Sequence, residues 1–173
     1  STQVGCAMGC IFCASTLKGK ARNLTAGEMM SQVYAFLRNG VSRIHSIVLM
    51  GAGEPLDNYE EVLRFIRQCH EPDVLDMSYR NITLSTVGII PGIRRLAEEK
   101  LPITLAVSLH APNDDIRNRI LPASRRYPMK DLLAAVSDYV QITGRRVTFE
   151  YILISGLNDG PDQAWQLGYI ARL

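Results

Sequence analysis

The chain has 173 residues, 47% of them hydrophobic, and a formal net charge of +2. That size and apolar content fit one soluble globular unit, and so small a charge does not by itself mark a nucleic-acid binder. No apolar run approaches the roughly 20 residues needed to span a bilayer, and there is no repeat or low-complexity tract.

From the N-terminus, Ser1-Thr2-Gln3-Val4 runs straight into Gly5-Cys6-Ala7-Met8-Gly9-Cys10-Ile11-Phe12-Cys13, a C-x3-C-x2-C run. Beyond it, short β-branched runs alternate with longer amphipathic segments. A helix is predicted over 25–39, where Thr25 and Glu28 have capping-box spacing and Gly40 marks a stop. Next come a strand at 45–50 (HSIVLM), a helix at 59–70, a strand at 81–86 (NITLST) and a helix at 91–99 opened by Pro91. A strand at 103–109 (ITLAVSL), a helix at 129–143 stopped by Gly144, a strand at 147–154 (VTFEYILI) and a helix at 161–173 opened by Pro161 complete the order. The strands read as buried on both faces. The start lacks a methionine and the last helix has nothing after it to pack on, so a piece of a longer protein is expected.

Strand–helix alternation predicts parallel β/α units, closed into a barrel or open as a doubly wound sheet. In both, ligands bind beyond the carboxyl ends of the strands. The polar motifs follow that rule. The cysteines come after Ser1–Val4, Gly51-Ala52-Gly53-Glu54 after Val48-Leu49-Met50, Ser85 ends one strand, Ser108-Leu109-His110 ends another, and Asn158 follows EYILI.

Three thiolates this close converge only if the backbone loops around a common centre, and three soft ligands suit an iron–sulfur cluster. A cubane holds more irons than three cysteines can satisfy, so one iron stays open to a substrate or cofactor, which points to catalysis rather than electron carriage. Structural zinc usually takes four protein ligands. The remaining cysteine, Cys69, lies beside His70 on a predicted amphipathic helix and reads as a buried structural thiol. A disulfide would leave one of the three clustered cysteines over, and nothing resembles a signal peptide. An open cluster needs a reducing interior, so the cytoplasm is the expected compartment.

CAMGCIFC followed by GAGEP, LST, SLHAPND and GLND resembles the radical S-adenosylmethionine (SAM) enzymes. The phrases QVGC, RNLTAGE, MGAGEPLDN, SLHAPNDDIR and EYILISGLND, in that order, are similar to the RlmN-type RNA methyltransferases, over nearly the whole chain. The resemblance implies an α/β fold, a partial (β/α)6-type TIM-like barrel truncated at both ends, to which this chain brings roughly five strands. Residues 1–173 would then be a radical SAM core domain, without the family's N-terminal accessory domain and C-terminal methyl-carrier segment. It implies a [4Fe-4S] cluster on Cys6, Cys10 and Cys13, with SAM chelating the open iron through its amino and carboxylate groups. Gly53 and Glu54 would bind the methionine end, and Ser85, Ser108, Leu109, His110 and Asn158 the rest of the cofactor. The implied activity is methylation of adenosine carbon 2 in ribosomal and transfer RNA by a monomer, fed by an electron donor such as a flavodoxin-type protein. The related Cfr-type branch methylates carbon 8 and commonly lacks the proline after the glutamate, so Pro55 favours the RlmN-like branch. Cys69 does not match the context of the methyl-carrying cysteine.

The residues themselves support parts of this. Gly51 and Gly53 lack a Cβ and would let backbone approach a ligand. Pro55 holds Glu54 extended, and a carboxylate beside a cluster is a natural partner for an ammonium group. On the barrel reading Lys18, Lys20 and Arg22, and also Arg117, Arg119, Arg125 and Arg126, fall on the cofactor face, where as a group they can attract RNA phosphates, while any one of them taken singly reads as a solvated surface residue. Arg145 and Arg146 precede a strand and belong to the opposite face, and His45 and His70 match no motif.

Overall fold

The computed structural model describes residues 1–172, so the last residue of the predicted helix 161–173 lies outside the described residues. The β-branched runs form strands β3 (Ile47–Leu49), β4 (Ile82–Thr86), β5 (Thr104–Ser108) and β6 (Val147–Glu150), preceded by a short hairpin of β1 (Gln3–Gly5) and β2 (Lys20–Asn23). Strands β3-β4-β5-β6 make one parallel sheet in sequence order, and β1 pairs antiparallel with β2. Helices α1 (Ala26–Arg38), α2 (Tyr59–His70), α3 (Ile90–Glu98), α4 (Asp114–Ile120), α5 (Met129–Thr143) and α6 (Pro161–Ile170) intervene or follow.

Local chemistry explains the boundaries. Thr25 Oγ1 accepts from Glu28 N–H while the Glu28 carboxylate accepts from Thr25 N–H, closing the capping box that starts α1. Gly144, at φ +65°, ends α5 in the left-handed region. The strand expected over 147–154 stops at Glu150, because Asn158 takes up the backbone of Ile152 and Ile154 with its side chain. Helix α4 is too short for its periodicity to show in the sequence; Asn113 caps it by accepting from Ile116 N–H at 3.0 Å.

Side-chain alternation splits the sheet into two unlike faces. Leu84, Leu105 and Val107 turn to the helices and join Phe65, Ile66, Ile93, Leu96 and Leu132 in the main core. The register sets Thr83 beside Thr104, Ser85 beside Ala106 and Ser108 beside Glu150 on the other face. That face is small and polar. The central strands β4 and β5 are buried on both faces, as expected (Ala106 is 1% exposed), whereas the edge strand β3 is not, with Val48 58% exposed. Ser85, Ser108 and Glu150 of this face wall a cavity. No helix among the described residues is long and apolar enough to cross a membrane.

The first strand departs from expectation. β1 does not extend the parallel sheet; it crosses over the loop that follows β3, where Thr2 N–H and Gln3 N–H both donate to Ala52 O at 2.8 and 3.2 Å. Among the described residues four strands rather than five are therefore parallel. Gly51 and Gly53 permit a close approach of the chain's own N-terminal segment: a Cβ on Gly53 (φ +102°) would lie 2.6 Å from Gln3 Cβ, and one on Gly51 2.9 Å from Ser1 N. Gly53→Ala should accordingly push β1 off the loop and lower stability by about 2–3 kcal/mol. Urea denaturation of the metal-free protein measures this, and an unchanged midpoint would show that the contact can relax.

Candidate active site

A cavity of about 260 Å3 opens at the carboxyl ends of the parallel strands. Cys6, Cys10, Cys13, Gly53, Glu54, Ser85, Ser108 and His110 all line it. Leu109 and Asn158 do not. The Leu109 side chain is fully buried beside Met129 and Ile170, and only its backbone serves the rim. Asn158, 2% exposed, spends its amide on its own loop and on His110 O.

The cysteine loop is a set of short backbone bonds: Cys13 N–H to Cys10 O at 3.1 Å, Cys6 N–H to Gly19 O at 3.2 Å and Ile11 N–H to Ile120 O at 3.1 Å. The last ties it to the end of α4, where Cys10 packs against Ile116, Ile120 and Leu121. All four cysteines are free thiols. Burial, then the neighbouring Cys6 and Cys13, push the Cys10 thiol up to about 11, and burial raises Cys6 as well. Three mutually repelling thiolates become favourable together only around cations. Among the described residues no three Cys, His, Asp or Glu close on a metal-ion position; what the three soft thiols share is the lining of one cavity. The donor set thus fits an iron–sulfur cluster. Cys69 is fully buried on α2 within the main core, with its thiol pushed up to about 12 by burial.

Glu54 is the carboxyl nearest in role to that loop. Its backbone lies at φ −99°, ψ 113°, the extended shape Pro55 demands. Oε2 accepts from Val87 N–H at 2.8 Å and Oε1 from Leu56 N–H at 3.0 Å, leaving each oxygen a further lone pair. Burial raises the group to about 7 despite these bonds. His110 stands in the left-handed region at φ +56°. Its Nδ1 accepts from Ile152 N–H at 3.1 Å, which puts the proton on Nε2, and burial lowers the ring to about 4, so it is neutral at physiological pH. Phe12 of the cysteine loop meets it edge-on at 4.9 Å.

One site residue escaped the sequence reading. Glu150 lines the cavity, and both Ser85 Oγ (2.6 Å) and Ser108 Oγ (3.1 Å) donate to its Oε2. A lone carboxylate inside the apolar run VTFEYILI was the available signal. The basic residues divide. Lys20 pairs with Asp57 at 2.7 Å and Arg22 with Glu28 at 2.7 Å. Lys18, Arg119, Arg125 and Arg126 are exposed. Arg117 is wholly buried and bonded to three backbone carbonyls, so it cannot meet a phosphate.

The raised Glu54 carboxyl makes the metal-free protein pH-sensitive in a definite direction. Below its ordinary value of 4.5 both folded and unfolded forms keep the proton. As pH rises towards 7 the unfolded chain releases it first, and folding loses on the order of 2–3 kcal/mol. Glu54→Gln has no such loss. The melting temperature of the wild type minus that of Glu54→Gln should therefore fall between about pH 5 and about pH 8; a constant difference would refute the desolvated carboxyl.

A curated protein of Symbiobacterium thermophilum, the probable dual-specificity RNA methyltransferase RlmN, is 55% identical over 99% of this chain and 47% of its own length. The protein of the same name from Pelotomaculum thermopropionicum is 56% identical over 96% of this chain and 45% of its own. The chain thus spans about half the length of the curated relatives it matches. The crystal structure of a radical SAM methyltransferase from Sphaerobacter thermophilus superposes with a TM-score of 0.94 at 50% identity, over 99% of this chain and 51% of that one. Streptococcus suis SuiB bound to S-adenosylmethionine shares the fold at a TM-score of 0.67 and 16% identity, over 98% of this chain and 36% of that one. The Radical SAM superfamily model matches residues 1–164, a span that takes in the cysteine loop and every strand lining the cavity, and the chain belongs to that superfamily.

Proposed function

We propose that this chain is the catalytic core of an RlmN-type RNA methyltransferase, which holds a [4Fe-4S] cluster on Cys6, Cys10 and Cys13 and binds SAM against it. The observation that carries the reading is the convergence of three free thiols and a buried carboxyl on one cavity at the strand ends. The RNA methyltransferase names of the relatives support an RNA substrate, and Pro55 after Glu54 favours adenine carbon 2 over carbon 8. The chemistry a bound cluster supplies is one-electron cleavage of the SAM sulfonium, which suits a ring carbon that is not nucleophilic.

The chain's own groups would divide the work. Glu54, ionised, receives the SAM ammonium on its spare lone pairs, with Gly53 beside it. Ser85 and Ser108, held by Glu150, offer hydroxyls to the nucleoside part, and His110 offers a neutral Nε2–H. Leu109 and Asn158 act through backbone and loop geometry rather than by facing the cavity. Ribosomal and transfer RNA are the proposed substrates, with Lys18, Arg119, Arg125 and Arg126 as exposed cations for their phosphates. A flavodoxin-type electron donor, a monomeric state and a cytoplasmic location complete the reading.

Anaerobic reconstitution tests it. The wild type should gain about four irons and as many sulfides per chain, with an electron paramagnetic resonance signal that shifts on adding SAM. Cys10→Ala should lose the signal. Zinc uptake with no SAM response would instead mark a non-catalytic module. The 173-residue chain alone should yield no methylated RNA, because three of its cysteines serve the cluster and Cys69 is fully buried in the core; measurable product on ribosomal RNA would overturn that assignment.

A further inference from the structure

Arg117 is 0% exposed, the largest side chain fully enclosed by the fold. Burying a guanidinium is costly unless an anion or a full set of acceptors compensates it. Among the described residues Arg117 forms no ion pair. Its Nη2 donates to Val87 O at 2.6 Å and to Ser108 O at 3.3 Å, and its Nε to Leu109 O at 3.2 Å. Nη1 is buried with no partner at all. Asp114, one turn earlier on α4, acts on it electrostatically, but one Asp114 oxygen is taken by Met129 N–H. The other titratable group near enough to act on Arg117 is Cys10 of the cysteine loop, whose thiol carries its proton in the metal-free chain.

The placement of these contacts is informative. Val87 O and the Ser108 and Leu109 carbonyls lie at the carboxyl ends of β4 and β5, so one planar fork spans two neighbouring strand ends. Val87 is held from both sides: its carbonyl accepts from Arg117, and its N–H, in the preceding peptide group, donates to Glu54 Oε2, so Arg117 fixes the residue that orients the Glu54 carboxyl. Helix α4, which carries Arg117, is also the backing of the cysteine loop through Ile116 and Ile120 against Cys10.

We propose that Arg117 is a positioning residue of the cluster and cofactor site, an internal cation that pins the ends of β4 and β5 and provides the countercharge to the anionic group held by the cysteine loop. The inference rests on the cluster reading above. Three thiolates bring negative charge to a cavity wall whose backing helix carries a buried, incompletely compensated cation. An added electron deepens that charge, so Arg117 favours the reduced state. Burial lowers the guanidinium to about 10, which leaves it charged at physiological pH.

The test uses reconstituted protein and two variants, with two readings each: a redox titration of the cluster without SAM, followed by paramagnetic resonance, and SAM affinity by equilibrium dialysis. Arg117→Gln removes the charge and should shift the reduction equilibrium at least tenfold against the reduced form, 59 mV for one electron. Arg117→Lys keeps the charge but loses the fork; its potential should stay within threefold of wild type while SAM binds at least threefold more weakly. The proposal is overturned if Arg117→Gln builds the cluster and matches wild type in potential. It is equally overturned if Arg117→Lys leaves SAM affinity unchanged or displaces the potential tenfold. Should Arg117→Gln fail to fold, the lysine variant alone decides. A wild type that gathers no iron would defeat the cluster reading itself, whereas a normal cluster indifferent to both variants defeats only the role of Arg117.

Discussion

Two amides, those of Thr2 and Gln3, share the carbonyl of Ala52, and the assembly of the cavity follows from that contact. The cysteine loop and the glutamate loop are far apart in sequence and belong to different structural units, a hairpin and a parallel sheet. The shared carbonyl lays one across the other, and the surrounding polar groups lock the crossing. Gln3 Oε1 accepts from Glu54 N–H, Gln3 Nε2 reaches Asn23 and Asp57, and Asn58 holds the carbonyls of Thr2 and Leu24. The absent Cβ at Gly53 is what lets the two backbones come together. Thiols and carboxyl face one cavity because the main chain brings them there, without any direct bond between them.

The rim is built from groups whose ordinary charge state is made expensive. Burial works against ionisation at Glu54, at Cys10 and at His110, each in the direction its chemistry dictates. A site so arranged favours a ligand that is itself charged and brings the missing partners, a cation to the carboxylate and metal to the thiols. The concave sheet face agrees with this use. Its threonines, serines and alanine are too small to fill a barrel interior, and they leave room where a packed core would have used large aliphatic side chains.

Much of this was legible beforehand because its signals are local. The cysteine spacing, the capping box at Thr25, the glycine stops and the β-branched runs each follow from a few neighbouring residues, and each has a counterpart in the fold. What escaped depends on partners distant in sequence. The strand Lys20–Asn23 has every residue exposed, so no apolar alternation announces it; only pairing with β1 makes it a strand. Arg117 looks like one of several surface arginines until the carbonyls of two strand ends are seen to enclose it. Ser85 and Ser108 are identifiable as rim residues, but their common partner Glu150 lies 65 and 42 positions further on. Asn158 and Leu109 follow strand ends in the sequence, yet which way a side chain turns there is decided by the bend after Glu150 and by the packing of α5 and α6.

The elevated thiol of Cys10 also governs how the unloaded chain behaves. A sulfur that keeps its proton well above neutrality is a poor nucleophile and a slow partner for oxidants or alkylating agents. Cys10 itself is therefore shielded from such side reactions. On the proposed cluster reading the Cys10 proton would have to leave when metal arrives, so uptake would be favoured by alkali and resisted by acid.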